Sequence, residues 1–162
     1  LSLAWSPNGQ RIVSGSDTQT ARVQVWDVAT GGKSFFLSYS GHKDRVEVVA
    51  WSPDGQHIAS GSFDQTVQVW DATTGNHLLS YSGHKDEVEA VAWSPDSTRI
   101  ASGSGGPNNI DHTVQVWDAT TGNHVFTYSG HSDVVWAAAW SPDGTRIASG
   151  SSDRKVQVWQ AV

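Results

Sequence analysis

The chain has 162 residues, 37% hydrophobic and 16% charged, and a formal net charge of −6. Its length is enough for one domain with a hydrophobic core. The negative charge argues against nucleic acids and anionic membranes as partners, because both attract clustered Lys and Arg. The absence of cysteine excludes disulfides and thiol chemistry. No apolar run approaches the ~20 residues of a membrane helix, and no signal peptide opens the chain, so we expect a cytoplasmic protein.

Short motifs recur along the whole chain. The motif AWSP occurs four times, with its tryptophans at Trp5, Trp51, Trp93 and Trp140. The motif VQVW also occurs four times, with its tryptophans at Trp26, Trp70, Trp117 and Trp159. A Gly-His pair precedes the last three AWSP motifs, and each of these histidines stands nine residues before the tryptophan. The spacing indicates a basic unit of 42 residues with local insertions, the longest being GGPNNID between Ser104 and His112.

Each unit divides into four short runs of β-forming residues separated by turn residues. In the second unit these runs are Val46–Trp51, His57–Ser62, Thr66–Asp71 and His77–Ser82. The turn SPDG between the first two runs combines a proline with a glycine that accepts positive φ. The short connections predict antiparallel neighbours, and no segment shows helical periodicity over ten residues. Because one such sheet cannot bury both faces, we predict that the units stack radially as in a β-propeller.

The markers Gly-His, SPDG, GSxD and Trp-Asp, repeated at about 42 residues, resemble the WD40 repeat over the whole chain. The near-identity of the units also resembles recently amplified bacterial WD40 arrays. The resemblance implies an all-β fold, a WD40-type β-propeller with four blades of antiparallel strands. We place the blades approximately at residues 1–40, 41–82, 83–129 and 130–162, and we expect the last blade to lack its outer strand.

The four predicted blades are fewer than the seven or eight with which WD40 rings usually close. We therefore expect half or part of a larger ring with two open hydrophobic flanks. The chain starts and ends inside a unit, so we expect a fragment or a trimmed piece of a longer protein. The flanks are expected to meet either a second copy, which closes an eight-bladed ring, or the missing blades of a longer chain.

The resemblance also implies a structural hydrogen-bond network in each blade, formed by the Gly-His histidine, a serine, the turn aspartate and the VQVW tryptophan. The implied members are His42, Ser60, Asp64, Trp70, His84, Ser102, Asp111, Trp117, His131, Ser149, Asp153 and Trp159. The first unit departs from this pattern, because Thr20 occupies the aspartate position.

Two catalytic or metal-binding interpretations of these residues are rejected. A Ser-His-Asp triad would not be repeated in every blade, and no G-x-S-x-G turn presents a nucleophile. The seven histidines lack the spacing of metal ligands, so we expect no metal and no cofactor. Buried polar groups that satisfy one another explain the recurrence better.

Positions that differ between units are candidates for recognition. In WD40 propellers three positions per blade line the narrow face, and they are implied here for nine residues, which we call the narrow-face set. Its members are Arg45, Glu47, Phe63, Glu87, Glu89, Ile110, Val134, Trp136 and Ser152. Aromatic and Arg side chains dominate protein-binding hot spots, which favours a peptide-binding surface. The alternative for Trp136 is packing against a neighbour.

Glu87 and Glu89 share one strand face, but a pair of carboxylates without a cleft or metal motif is a weak acid–base signal. The other interpretation of this acidic pair is that it favours a basic region of a binding partner. The insertion at Gly105–Ile110 is either a binding loop or drift. The sequence therefore predicts a non-catalytic scaffold that binds a protein or peptide on its narrow face. The alternative is a self-assembling propeller fragment that dimerises into a closed ring with no dedicated ligand.

Overall fold

The computed structural model describes residues 2–16, 22–31 and 35–161, which form four antiparallel sheets. The first sheet contains β1 (Leu3–Trp5), β2 (Arg11–Gly15), β3 (Arg22–Asp27) and β4 (Phe35–Ser40). The second contains β5 (Val46–Trp51), β6 (His57–Ser62), β7 (Val67–Asp71) and β8 (His77–Tyr81). The third contains β9 (Val88–Trp93), β10 (Arg99–Ser104), β11 (Val114–Asp118) and β12 (His124–Tyr128). The fourth contains β13 (Val135–Trp140), β14 (Arg146–Ser151) and β15 (Val156–Gln160).

Strands within each sheet pair in sequence order, so every connection is a short antiparallel turn. The predicted all-β fold with four blades of antiparallel strands is confirmed. The only helical segment of the described residues is the 3₁₀ turn Val28–Thr30, and no helix among them has the length and apolar character of a membrane span.

The SPDG turns are held by their own side chains. In the second sheet Ser52 Oγ accepts from the His57 N–H at 2.9 Å and donates to Asp54 at 2.6 Å. Gly55 then takes φ 76°, a left-handed conformation that favours glycine. The turn thus closes β5 onto β6 at the edge where the β5 tryptophan lies.

The hydrophobic core lies between successive sheets. Val13, Val23 and Val25 of the first sheet pack with Val46 and Ile58 of the second. The same pattern repeats at the next two junctions, where valines of one sheet meet the isoleucine and tryptophan of the following sheet. Each sheet therefore buries its faces against its neighbours, as stacking requires.

Glycine allows the closest approach at each junction. A methyl group added at Gly61 would lie 2.7 Å from both Val48 Cγ1 and Val88 Cγ1. The equivalent methyl at Gly103 would lie 2.8 Å from Val135 Cγ1. The GSxD motif therefore supplies a residue without a side chain where two sheets meet most tightly.

The outer faces of the first and fourth sheets lack this cover. Leu3 and Trp5 on the first sheet, and Val156 and Val158 on the fourth, are exposed large hydrophobic residues. The fourth sheet has three strands within the described part of the chain. Two apolar flanks therefore stand at the two ends of the stack.

Candidate functional site

The structure joins the four network residues of the second blade in one hydrogen-bonded chain. Trp70 Nε1 donates to Ser60 Oγ at 2.9 Å, Ser60 Oγ lies 2.7 Å from His42 Nε2, and His42 Nδ1 lies 2.9 Å from Asp64 Oδ2. A histidine with its proton on Nδ1 satisfies all three contacts, because it accepts from the serine and donates to the aspartate.

The same chain recurs in the next two blades. His84 lies 3.0 Å from Asp111 and 2.8 Å from Ser102, which accepts from Trp117 at 3.1 Å. In the fourth blade the corresponding three distances are 2.8, 2.8 and 3.5 Å. The longest of these contacts, 3.5 Å, joins Ser149 and Trp159. Both residues lie in the fourth sheet, and no further sheet packs on it among the described residues.

The described residues of the first blade show one bond of the network. Trp26 Nε1 donates to Ser14 Oγ at 2.8 Å. Thr20, which the sequence places at the aspartate position, lies outside the described residues. The blade thus retains the tryptophan–serine bond.

The network supports a structural role. Burial opposes a charged Asp64, but hydrogen bonds from His42, Thr66 and the Lys43 N–H hold the pKa of this carboxyl well below its usual range. Ser60, Ser102 and Ser149 are buried, and each accepts a tryptophan N–H. Each of these hydroxyls also lies within hydrogen-bond distance of its histidine, so the buried arrangement supports mutual satisfaction of polar groups.

A recurring tyrosine–glutamine pair that our sequence analysis missed joins the networks of the third and fourth blades to the preceding blade. Tyr81 stacks on Trp117 of the following blade with ring centroids 4.6 Å apart and donates to Gln115 Oε1 at 2.6 Å. Tyr128 stacks in the same way on Trp159, with centroids 4.7 Å apart. The signal was present in the sequence, because a tyrosine before each Ser-Gly-His and a glutamine in each VQVW also recur.

The narrow-face set forms three local groups. In the second blade Arg45 donates to Glu47 Oε2 through Nη2 at 2.7 Å and through Nε at 3.1 Å. The guanidinium carbon also lies 4.0 Å from the centre of the Phe63 ring. These three side chains therefore form one closed cation–aromatic–carboxylate cluster.

In the third blade the corresponding positions are Glu87, Glu89 and the exposed Ile110. Glu89 is only 7% exposed. Burial and the nearby charges of Glu47 and Glu87 raise the pKa of Glu89 to about 7, while Arg45 opposes the shift. The second and third blades together form a predominantly acidic region.

The insertion folds onto this acidic region. The buried Asp86, which our sequence analysis did not single out, accepts from Asn108 Nδ2 at 3.1 Å and from the Ile110 N–H at 3.4 Å. Gly105 donates its N–H to the Glu87 carbonyl at 3.0 Å. A methyl group at Gly105 would lie 2.5 Å from Val134 Cα, so the insertion also reaches the fourth blade.

In the fourth blade Trp136 is 55% exposed. Its Nε1 donates to Ser152 Oγ at 2.6 Å, which orients the ring beside the strand. No cluster of three or more His, Asp or Glu side chains within the described ranges has the geometry of a metal site.

Stacked antiparallel sheets that each contain a tryptophan–serine bond define a repeat protein built of propeller blades. The family WD40, described as WD domain, G-beta repeat, matches residues 1–27, 33–71, 75–118 and 122–160. The chain belongs to the WD40 family. No curated protein matches it. The matched segments end near the third strand of each sheet, whereas our blades end after the fourth, so the blade boundaries stay a prediction.

Proposed function

We propose that the chain binds a peptide or a segment of a partner protein on the narrow-face set. WD40 repeats generally mediate protein–protein interaction and are generally non-catalytic, which supports a scaffold role. The observation that carries the proposal is the exposed Trp136, at a position where the second and third blades have Glu47 and Glu89. A large exposed ring next to acidic residues and an insertion provides an anchor with polar surroundings.

The test begins with peptides selected by display against the immobilised chain. Their affinities are then measured for the parent chain and for Trp136→Ala. We expect a loss of at least about tenfold, as for a buried aromatic anchor, with unchanged circular dichroism. Leu78→Ala, which removes another exposed apolar side chain on β8, is the matched control and leaves affinity unchanged. Selected peptides that bind both variants equally well would overturn the proposal.

A second function, self-association, is proposed from the apolar flanks. At the second and third junctions a tryptophan at the end of an inner strand donates its N–H to the preceding sheet, whereas Trp51 at the first junction donates to the Gly55 carbonyl of its own turn. Trp93 Nε1 donates to the Ala50 carbonyl at 3.3 Å, and Trp140 Nε1 donates to the Ala92 carbonyl at 3.1 Å. Trp93 also stacks on His57 with ring centroids 6.1 Å apart.

The fourth sheet carries the equivalent receiving surface. A cavity of about 430 Å³ is lined there by Ala139, Arg146, Ala148 and Val158, among other residues. Ala139 and Arg146 correspond to the Ala92 and Arg99 that lie beneath Trp140. The equivalent tryptophan at the other end of the stack is Trp5, which is 60% exposed. We propose that Trp5 of one copy enters this cavity of a second copy, so that two copies close an eight-bladed ring.

Molar mass in solution, measured by light scattering, tests this second function. One chain has a mass of 17.4 kDa, and we expect about twice that value. Trp5→Ser and Val158→Lys are expected to give monomers that keep the circular dichroism of the parent, whereas Leu78→Ser leaves the dimer intact. A monomer at all concentrations, or a dimer indifferent to both flank variants, would overturn self-association. A monomer would favour further blades of a longer chain as the cover of the flanks.

A further inference from the structure

We propose that Glu89 and Glu87 form a binding site for the guanidinium group of an arginine in the bound peptide, an inference that rests on the peptide-binding function proposed above.

The second blade shows what such a site contains when it is filled. Arg45 reaches Glu47 with two N–H groups, at 2.7 and 3.1 Å from one carboxylate oxygen. The cation also lies against the Phe63 ring. This blade therefore pairs its strand carboxylate with a guanidinium from two residues earlier, just before the strand begins.

The third blade repeats the carboxylate but lacks the cation. Glu89 occupies the position of Glu47, and Glu87 replaces Arg45. Glu89 is 7% exposed and forms no hydrogen bond or ion pair within the described ranges of the chain. Burial of the residue and the neighbouring carboxylates disfavour the charged form of Glu89, and a partner cation would offset that cost.

The groups around Glu89 favour an incoming positive charge. Glu47 of the neighbouring blade, and Glu87 and Asp86 just before it in the chain, all oppose its ionisation, while Arg45 alone favours it. The fourth blade presents the uncharged Val134 and Trp136 at the equivalent positions. Arg45 and Glu47 are already paired with each other, so Glu87 and Glu89 are the two carboxylates that remain for one external cation.

The insertion stabilises this geometry. Asp86 is fully buried and accepts from the Glu87 N–H at 3.1 Å and from Asn108 Nδ2 at 3.1 Å. Those bonds hold the segment that carries Glu87. A guanidinium is the preferred cation because its planar N–H groups bind carboxylates in the paired manner that Arg45 shows.

The probe is Nα-acetyl-arginine amide, titrated into the ¹⁵N-labelled chain and followed by amide chemical shifts. Nα-acetyl-citrulline amide, which has the same shape without the charge, is the matched probe. At pH 8 we expect saturable shifts around Glu87 and Glu89 for arginine, and at least about tenfold weaker shifts for citrulline. Glu89→Gln should lose this binding, whereas Asp118→Asn, which removes one charge at the opposite end of the blade, should retain it.

Binding should also depend on pH. Because the pKa of Glu89 is about 7, its carboxylate is mostly protonated at pH 6 and mostly ionised at pH 8, while the guanidinium stays charged. Affinity should therefore be about tenfold higher at pH 8 than at pH 6. Equal binding of citrulline, unchanged binding to Glu89→Gln, or no pH dependence would each overturn the arginine site.

The two proposals fail in different ways. If display peptides lose affinity in Trp136→Ala but not in Glu89→Gln, and arginine amide does not bind, the arginine site is wrong and peptide binding on the narrow-face set still stands. If arginine amide binds at Glu89 but no selected peptide loses affinity in Trp136→Ala, the peptide-binding proposal is wrong and the arginine site still stands.

Discussion

The inner junctions and the outer flanks of the stack use the same residues in opposite environments. Val67 is 0% exposed between the second and third sheets, whereas its equivalent Val156 on the fourth sheet is 77% exposed. Trp93 is 8% exposed, and its equivalent Trp5 on the first sheet is 60% exposed. A repeated sequence thus specifies the sheet and its two apolar faces, while burial depends on a neighbour that the unit cannot provide alone.

Junction positions and the positions proposed for recognition vary differently between blades. At the junctions, valine, isoleucine, tryptophan and glycine recur because each sheet must present the same surface to the next. At the starts of the inner strands the residues differ between blades, and there Arg45, Glu89 and Trp136 lie in three different environments. The repeat therefore leaves the narrow-face set free to vary without loss of packing.

The largest expected effect distinguishes an inner tryptophan from a terminal one. Trp117 is fully buried, stacks on Tyr81 and donates to Ser102. Trp117→Ala should lower the free energy of unfolding by about 3–5 kcal/mol. Trp159→Ala should cost less than half as much, because Trp159 is half-buried and its bond to Ser149 is 3.5 Å long. Urea denaturation followed by circular dichroism measures both, and equal losses would contradict the comparison.

The next effect concerns the unpaired Glu89. Its pKa is about 7 in the folded chain and about 4.3 in an unfolded one, so the folded chain binds more protons between these values. Stability should therefore fall as pH rises from about 4.3 to 7, by up to about 3–4 kcal/mol in total. Glu89→Gln should be more stable than the parent at pH 8, and the difference should shrink toward zero below about pH 4. A stability difference that is the same in urea denaturation at both pH values would contradict this assignment.

A smaller effect is expected from two equivalent glycines. Gly61→Ala places a methyl group 2.7 Å from two valine methyls and should cost about 1–3 kcal/mol through overpacking. An added methyl at Gly150 has no atom within 4 Å among the described residues, so Gly150→Ala should change stability by less than about 0.5 kcal/mol. Thermal unfolding of the two variants tests this, and a destabilised Gly150→Ala would show that the flank is already covered.

The smallest stability effect is expected in the narrow-face set, the proposed binding surface. Trp136→Ala should change the free energy of unfolding by less than about 0.5 kcal/mol, because the ring is largely exposed. Trp93→Ala, which removes a buried tryptophan at a junction, should cost several times more. Urea denaturation of both variants makes the comparison, and a large loss for Trp136→Ala would show that this tryptophan is part of the core.

Much of the architecture was predictable because the repeated motifs encode local structure. The runs around VQVW predict strands, and SPDG predicts the turn that Ser52 and Gly55 form. The network around His42 was implied by the family resemblance alone, since no spacing in one sequence shows that four distant residues meet. The stacking of Tyr81 on Trp117 of the following blade was missed, because it joins residues 36 positions apart.

By itself, the sequence determined the strands, the turns, the period of the repeat and the two apolar faces of each sheet, because these follow from local propensity and from alternation along a strand. The tertiary structure alone decided which of those identical faces are buried and which of the equivalent carboxylates Glu47 and Glu89 is left without a cation. Arg45 reaches Glu47 from just before the same strand, but the isolation of Glu89 depends on charges from two blades and on burial by the assembled stack. Burial and electrostatic potential are properties of the whole assembly, and a repeated local sequence does not specify them.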